Sequence, residues 1–243
     1  MLLRCCAFLA VLGLVGPPAV HAAPPAPTAV PAKTAIQAQF GADALVRLNT
    51  LTGTPRTLRR LSVPTVGATP AERTLDFVGR HRALLLGDTD ASALVVTDVD
   101  TRGTDSGRQV VRLAQQVVGL RVEGREMVVV LDADGRVTRV QNDMQALGLD
   151  RLETHASRDI GEARAAKAVG DRYAIAGTSP ATKVILPSPA GPARIAYRVP
   201  TMVLPLTGHF NVWVDAETGM VLRAMPASTH QALRQLPLKK VTR

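Results

Sequence analysis

The chain has 243 residues, of which 29 are lysine or arginine and 20 are aspartate or glutamate, so its formal net charge is +9 at pH 7. Only 3% of the residues are aromatic and the basic residues are scattered, whereas nucleic-acid-binding surfaces combine clustered charge with aromatic rings that stack on bases. The composition therefore argues against a nucleic-acid partner and favours a protein partner with an acidic face.

Residues 1–22 have the features of a secretory signal peptide. Arg4 supplies a positive charge, an apolar stretch of about ten residues follows, and small residues precede a cleavage site after Ala22. This stretch is too short to span a bilayer, so we expect a secreted or periplasmic protein with no membrane attachment after signal removal. Cys5 and Cys6 are the only cysteines and lie in the signal, so an apolar core rather than disulfides must stabilise the exported protein.

The segment before the first helix is predicted to contain a leader followed by two strand-like pieces. Residues 23–40 open with a stretch rich in proline and alanine, and they are expected to form a leader that is extended over residues 23–33. A turn at residues 52–55, with the sequence Thr-Gly-Thr-Pro, then separates two strand-like pieces.

The first helix is predicted to begin at Pro70. Thr69 fits the N-cap position, and Glu72 completes a capping box three residues after it. Gly87 is expected to end the segment. One face of this helix is predicted to carry four residues at helical spacing, Ala71, Leu75, Val78 and Arg82.

Four strands with polar turns between them follow the helix. They are predicted at residues 93–101, 108–118, 125–132 and 136–143, with hairpin connections at residues 103–107 and 132–135. Alternation in the second strand places Gln115 among apolar side chains on one side of the sheet, together with Val111, Leu113 and Val117.

The same order of elements then repeats. A second helix is predicted with Asp159 as its N-cap and Gly170 at its end, and strands follow at residues 182–187, 193–204 and 209–225, the last broken by an acidic turn at 215–219. The predicted fold class is α+β, with two small domains that each consist of an antiparallel sheet covered by a helix. The expected boundaries are 41–147 for the first domain, 148–226 for the second and 227–243 for a basic tail.

No pattern in the sequence predicts catalysis, a metal site or a cofactor. None of the five histidines is followed by glutamate, so the helix motif of zinc peptidases is absent from the sequence. Ser106, in the segment Thr-Asp-Ser-Gly-Arg, resembles the setting of a serine nucleophile, but no further motif supplies a histidine partner. A polar turn is the favoured interpretation, and a hydrolase dependent on Ser106 remains the lower alternative.

Residues 110–143 resemble the fungalysin/thermolysin propeptide domain, found in the pro-region of secreted thermolysin-like and fungalysin-like metallopeptidases. In that family an Arg-x-x-Gln-Gln strand leads through a Gly-x-x-Val-x-Gly link into an apolar strand, an acidic glycine turn and a last strand. Residues 194–199 and 210–224 are similar to the PepSY-type second pro-domain of such proteins. The matching positions in the first motif are Arg112, Gln115, Gln116, Gly119, Val122, Gly124 and residues 128–135.

The resemblance implies a non-enzymatic protein that inhibits a thermolysin-like zinc metallopeptidase, assists its folding, or does both, in cis or in trans. The partner-binding residues that it suggests are Arg112, Gln115, Gln116, Gly119 and Gly124. The two glutamines are expected either to bind backbone or one another, or to be exposed without a role. The two glycines are expected to permit a turn where a side chain would clash.

The chain departs from the family pattern because it ends at Arg243, without the zinc-binding helix of a catalytic domain. Three explanations stay open: a free-standing pro-region that acts in trans, a piece of a longer zymogen, or a module that has lost its peptidase. The alternative function is an exported PepSY-type module that binds proteins of the cell envelope.

Overall fold

The computed structural model describes residues 30–50, 52–87, 92–101, 107–147, 152–153, 159–188, 191–204 and 208–227. The described residues form a mixed α and β structure in which strands predominate. The helices are α1 (Val30–Phe40), α2 (Pro70–Arg80), α3 (Arg82–Leu86) and α4 (Gly161–Arg172). The strands are β1 (Leu45–Leu48), β2 (Pro55–Val63), β3 (Ala93–Asp100), β4 (Gln109–Val117), β5 (Leu120–Leu131), β6 (Val137–Asn142), β7 (Leu152–Glu153), β8 (Ile175–Thr178), β9 (Thr182–Leu186), β10 (Ala193–Val203), β11 (Gly208–Asp215) and β12 (Val221–Pro226).

The first half of the chain forms an antiparallel sheet in the order β1-β2-β6-β5-β4-β3. The four strands predicted after the first helix are confirmed as β3 to β6. The turn between β5 and β6 is confirmed by a hydrogen bond of 3.0 Å that the Gly135 N–H donates to the Asp132 carbonyl. The predicted connection at residues 103–107 lies, except for its last residue, outside the described residues.

Helix α2 begins as the sequence predicts, and one of the four residues predicted to share a face is buried. The Thr69 hydroxyl accepts from the Glu72 N–H at 3.2 Å, and the Glu72 carboxylate accepts from the Thr69 N–H at 3.0 Å, so the capping box is confirmed. The buried residues are Thr74, Phe77 and Val78, whereas Leu75 is 41% exposed. Of the four residues predicted to share one face, Val78 is therefore buried, while Leu75 is exposed because it lies about 200° around the helix from Phe77, whose ring occupies the core.

The predicted leader is partly helical. Helix α1 begins at Val30, and Ile36 is fully buried in the core of the first half. Phe40, one turn after Ile36, lies with its ring centroid 6.1 Å from that of Phe77. Ile36 and Phe40 give α1 an apolar stripe that the Pro/Ala-rich composition of the preceding residues had obscured.

In the second half, α4 packs on the sheet formed by β10, β11 and β12. Asp159 is not the N-cap residue of α4, because Ile160 occupies that position and the helix runs on to Arg172. Asp159 instead accepts hydrogen bonds from the Lys183 ammonium and from the Gly161 N–H, which together lower its pKa to about 2. The predicted acidic turn at residues 215–219 is confirmed.

The two halves are joined by more than the chain connection. Val122 of β5 pairs in parallel with Ile185 of β9, and the two residues belong to one buried cluster with Val117, Leu152 and Ala193. Hydrogen-bonded neighbours therefore connect all twelve strands. The description as two separate domains is not confirmed. Among the described residues, no helix is both long and apolar enough to cross a membrane.

Candidate protein-binding face and the glycine bulge

A large bulge in β5 lies at the centre of the segment that sequence analysis singled out. Ala114 of β4 pairs with Glu126, but Gln116, two residues on, pairs with Arg121, so four residues of β5 stand opposite Gln115. Gly124 lies in this bulge with φ of +67°, a conformation that disfavours side chains. A Cβ on Gly124 would meet no atom within 4 Å. The prediction that a side chain would clash at Gly124 was therefore wrong. Glycine is favoured at this position because its φ is positive.

Gln115 lies opposite the bulge and forms hydrogen bonds to two other segments of the chain. Its side chain is fully buried, and its amide nitrogen donates to the Gln145 carbonyl at 2.6 Å and to the Ser92 hydroxyl at 3.1 Å. The Gln145 N–H in turn donates to the Gln115 side-chain carbonyl at 3.4 Å. These bonds fasten the segment after β6 and the start of β3 to the middle of the sheet. Gln115 thus binds its own chain's backbone, one of the two outcomes left open by the sequence.

The hairpin between β4 and β5 is a two-residue turn under strain. Val117 pairs with Leu120, and the intervening Val118 and Gly119 have φ of +46° and +77°. Two consecutive positive values are typical of a type I′ turn, where asparagine and glycine are preferred. A β-branched residue at positive φ is unfavourable. Val118 is also 66% exposed, so burial of its side chain offsets little of this conformational cost.

We predict that Val118→Asn stabilises the fold by about 1 kcal/mol, because asparagine tolerates a positive φ better than valine. The midpoint of urea unfolding should rise at an unchanged m-value. Val118→Ala, which removes the branch without supplying a residue suited to positive φ, should give a smaller gain. A lower midpoint for Val118→Asn would show that the valine makes a stabilising contact and would contradict the prediction.

The side of the first sheet opposite α1 to α3 forms a face of valines and arginines. Alternation along each strand places the core residues on the helix side, so their neighbours point to the other side. The register then aligns these neighbours in two rows across six strands. We call them the valine–arginine face: Leu45, Arg47, Thr57, Arg59, Arg139, Gln141, Val128, Val130, Val110, Arg112, Asp98 and Asp100.

Charge on this face is distributed unevenly. On the β3 side, Arg112 pairs with Asp98 at 3.6 Å. On the β1 side lie Arg47, Arg59 and Arg139, and none of these three forms an ion pair within the part of the chain that the structure describes. Val110 and Val128, both half-buried, give the face an apolar centre, whereas Val130 is only 4% exposed. The β1 side of the face is an uncompensated basic flank.

The structure separates the sequence-predicted site residues. Arg112 and Gln116 lie on the side of the valine–arginine face, whereas Gln115 points into the core, so the adjacent glutamines point in opposite directions. Gly119 shapes the hairpin turn before β5, and Gly124 shapes the bulge within β5. Sequence analysis missed the basic flank, although Arg59 follows the core residue Leu58 directly and strand alternation alone would place it on the opposite face.

Ionisable side chains elsewhere are dispersed. Among the described residues, no three His, Cys, Asp or Glu side chains lie close enough together to hold a metal ion. The His81 ring is wedged between Phe40 and Phe77, and burial holds the pKa of His81 below its usual value. Ser106, the basis of the hydrolase alternative, lies outside the described part of the chain, together with residues 102–105.

Two solved structures are similar to parts of this chain. The C-terminal domain of YpeB from Bacillus megaterium is 12% identical, with a TM-score of 0.35, over 82% of this chain and 97% of that one. The YpmB protein from Bacillus subtilis is 16% identical, with a TM-score of 0.25, over 54% of this chain and 84% of that one. Comparison with curated proteins gives no significant match.

A family comparison matches the central strands. Residues 93–144 fit the family described as the Fungalysin/Thermolysin Propeptide Motif. The match begins at the first residue of β3 and ends two residues after β6, so it contains the β5 bulge, Gln115 and four of the six strands of the valine–arginine face. The resemblance to the fungalysin/thermolysin propeptide is thereby confirmed for residues 93–144.

Proposed function

We propose that this protein is a secreted, non-enzymatic, propeptide-like protein that binds the catalytic domain of a thermolysin-like zinc metallopeptidase, in cis or in trans, and inhibits it or assists its folding. The propeptide motif at residues 93–144 is the observation that carries the proposal. A role of this kind needs a complementary folded surface and no catalytic group, since inhibition and folding assistance both follow from binding.

We further propose that the valine–arginine face is the surface that meets the peptidase. Val110 and Val128 at its centre supply apolar area, and the basic flank of Arg47, Arg59 and Arg139 selects an acidic partner surface. The chain's net charge of +9 acts in the same direction at longer range. Arg112 belongs to this surface and Gln116 lies on the same side of the sheet, while Gln115 supports it from the core and Gly119 and Gly124 shape the backbone of the hairpin turn and the bulge.

The test combines inhibition with charge reversal. The purified protein is added to a panel of thermolysin-like peptidases, and residual cleavage of a small peptide substrate and the yield of refolded peptidase are measured. We expect inhibition of at least one peptidase, and Arg59→Glu/Arg139→Glu should weaken that inhibition by roughly tenfold or more, since like charges then oppose the acidic partner.

Arg164→Glu is a control for charge reversal away from the face, because Arg164 is exposed on α4 in the other half of the protein. This variant changes the net charge in the same direction as the reversal at the face and should retain most of the inhibition. Full inhibition by Arg59→Glu/Arg139→Glu would exclude the valine–arginine face as the docking surface. If the unmodified protein affects no peptidase and is slowly cleaved as a substrate, the proposal fails and a cell-envelope binding module is the better interpretation.

A further inference from the structure

A groove on the second sheet lies beside the chain's single tryptophan. Leu186, Pro187 and Ser188 at the end of β9 line one side of it, and Leu222 and Arg223 of β12 line the other. Arg194 of β10 completes the lining. The groove is open to solvent and has a volume of about 490 Å³, enough for several residues of an extended peptide.

Trp213 lies next to this groove in an arrangement that leaves its N–H unused. The indole is only 4% exposed and belongs to one buried cluster with Leu186, against which Leu222 packs. Its Nε1 is buried without a hydrogen-bond partner among the described residues.

Arginines give the groove a positive charge. The guanidinium of Arg223 lies over the Trp213 ring, 5.3 Å from its centroid, and forms no ion pair with any residue that the structure describes. Arg194 lies 3.5 Å from Asp215, whose other carboxylate oxygen already accepts from the Glu217 and Thr218 N–H groups. The charge of Arg223 is therefore not balanced in the groove.

The backbone of β12 contributes to this geometry. The register of β11 and β12 shifts at Trp213, so that Trp213 pairs with Arg223 while Val214 pairs with Val221. Leu222 is left as an extra residue opposite this step. Both Leu222 and Arg223 consequently line the groove, although consecutive residues of a regular strand would point to opposite faces.

We infer that this groove binds an extended peptide segment of a partner protein that carries a glutamate or aspartate flanked by apolar side chains. The carboxylate is held by Arg223, and the apolar neighbours lie against Leu186, Pro187 and Leu222. The chain's own residues 227–243 do not fit this description, because they are basic and include no acidic side chain. The inference is independent of the proposed peptidase partner, since it rests on a different face of the protein.

Trp213 makes the inference directly measurable, because no other tryptophan contributes to the emission. The probes are the capped peptide acetyl-Ser-Ser-Leu-Glu-Leu-Ser-Ser-amide and a twin with glutamine in place of glutamate. We expect a saturable change in tryptophan fluorescence with the glutamate peptide and an affinity roughly fivefold or more lower for the twin, because the charge-assisted bond is lost. An equal response to both peptides, or no response to either, overturns the inference.

Variants assign the binding to Arg223. Arg223→Gln should weaken binding of the glutamate peptide by roughly fivefold or more, and Arg223→Lys should have an intermediate effect because it keeps the charge but loses the planar fork. Arg164→Gln on α4 removes a charge elsewhere and should leave the affinity unchanged. If Arg223→Gln does not fold, the comparison of the two peptides on the unmodified protein still decides. Unchanged affinity in a folded Arg223→Gln protein would contradict the inference.

Discussion

Replacing Gln115 with alanine is expected to lower the free energy of unfolding by about 2–4 kcal/mol, because it leaves a cavity and removes the partner of buried polar groups. The side chain is fully buried and bonds the Gln145 carbonyl and the Ser92 hydroxyl. Loss of these bonds should also loosen the start of β3 and the segment after β6. Urea unfolding followed by circular dichroism gives the free energy, and hydrogen exchange at β3 reports the local effect.

Gln116→Ala is the matched control for Gln115→Ala. Gln116 has the same side chain one residue further along β4 but is only partly buried, so its change should stay within about 0.5 kcal/mol. Gln115→Leu separates volume from hydrogen bonding, since leucine refills most of the space but cannot bond Gln145. Equal, small losses for Gln115→Ala and Gln116→Ala would show that the hydrogen bonds of Gln115 contribute little to stability.

Phe77→Ala is expected to have the largest effect, about 3–5 kcal/mol of lost stability, because a fully buried ring is replaced by a cavity. The same variant tests whether the two halves unfold together. Trp213 lies in the second half and Phe77 in the first, so tryptophan fluorescence reports on the half that the substitution leaves intact. We expect the fluorescence transition to move to lower urea together with the circular dichroism transition, since β5 belongs to both halves.

Leu75→Ala on the same helix is the control for Phe77→Ala. Leu75 is 41% exposed, so its truncation should change stability by less than about 1 kcal/mol. A fluorescence midpoint unaffected by Phe77→Ala, combined with a two-step circular dichroism curve, would contradict coupling. That result would instead support the two-domain description expected from the sequence.

Structural features that depend on a few neighbouring residues were predicted correctly from the sequence. Thr69 and Glu72 form the predicted capping box, and alternation in β4 placed Gln115 on the buried side. The acidic turn at residues 132–135 likewise depends on its own residues. Such features depend on propensities and hydrogen bonds within a few positions, which a single sequence contains.

Features that depend on distant partners were missed. The sequence contains no sign that Val122 pairs with Ile185, because the two residues are far apart in the chain and join different halves. Helix α1 was obscured because the partners that bury Ile36 and Phe40 come from later elements. The basic flank was overlooked for a related reason, since Arg47, Arg59 and Arg139 become neighbours only through the strand order.

The pairing of β5 with strands of both halves has a consequence for proteolysis of the protein. Hydrolysis of one peptide bond in the connection between β6 and β7 would not release either part, because Val122 and Ile185 would still hold the fragments in register. Separation of the two fragments therefore requires a second event, either a further cut within β5 or the melting of its buried contacts. The time between the two events depends on how long the buried contacts around Val122 and Ile185 persist after the first cut.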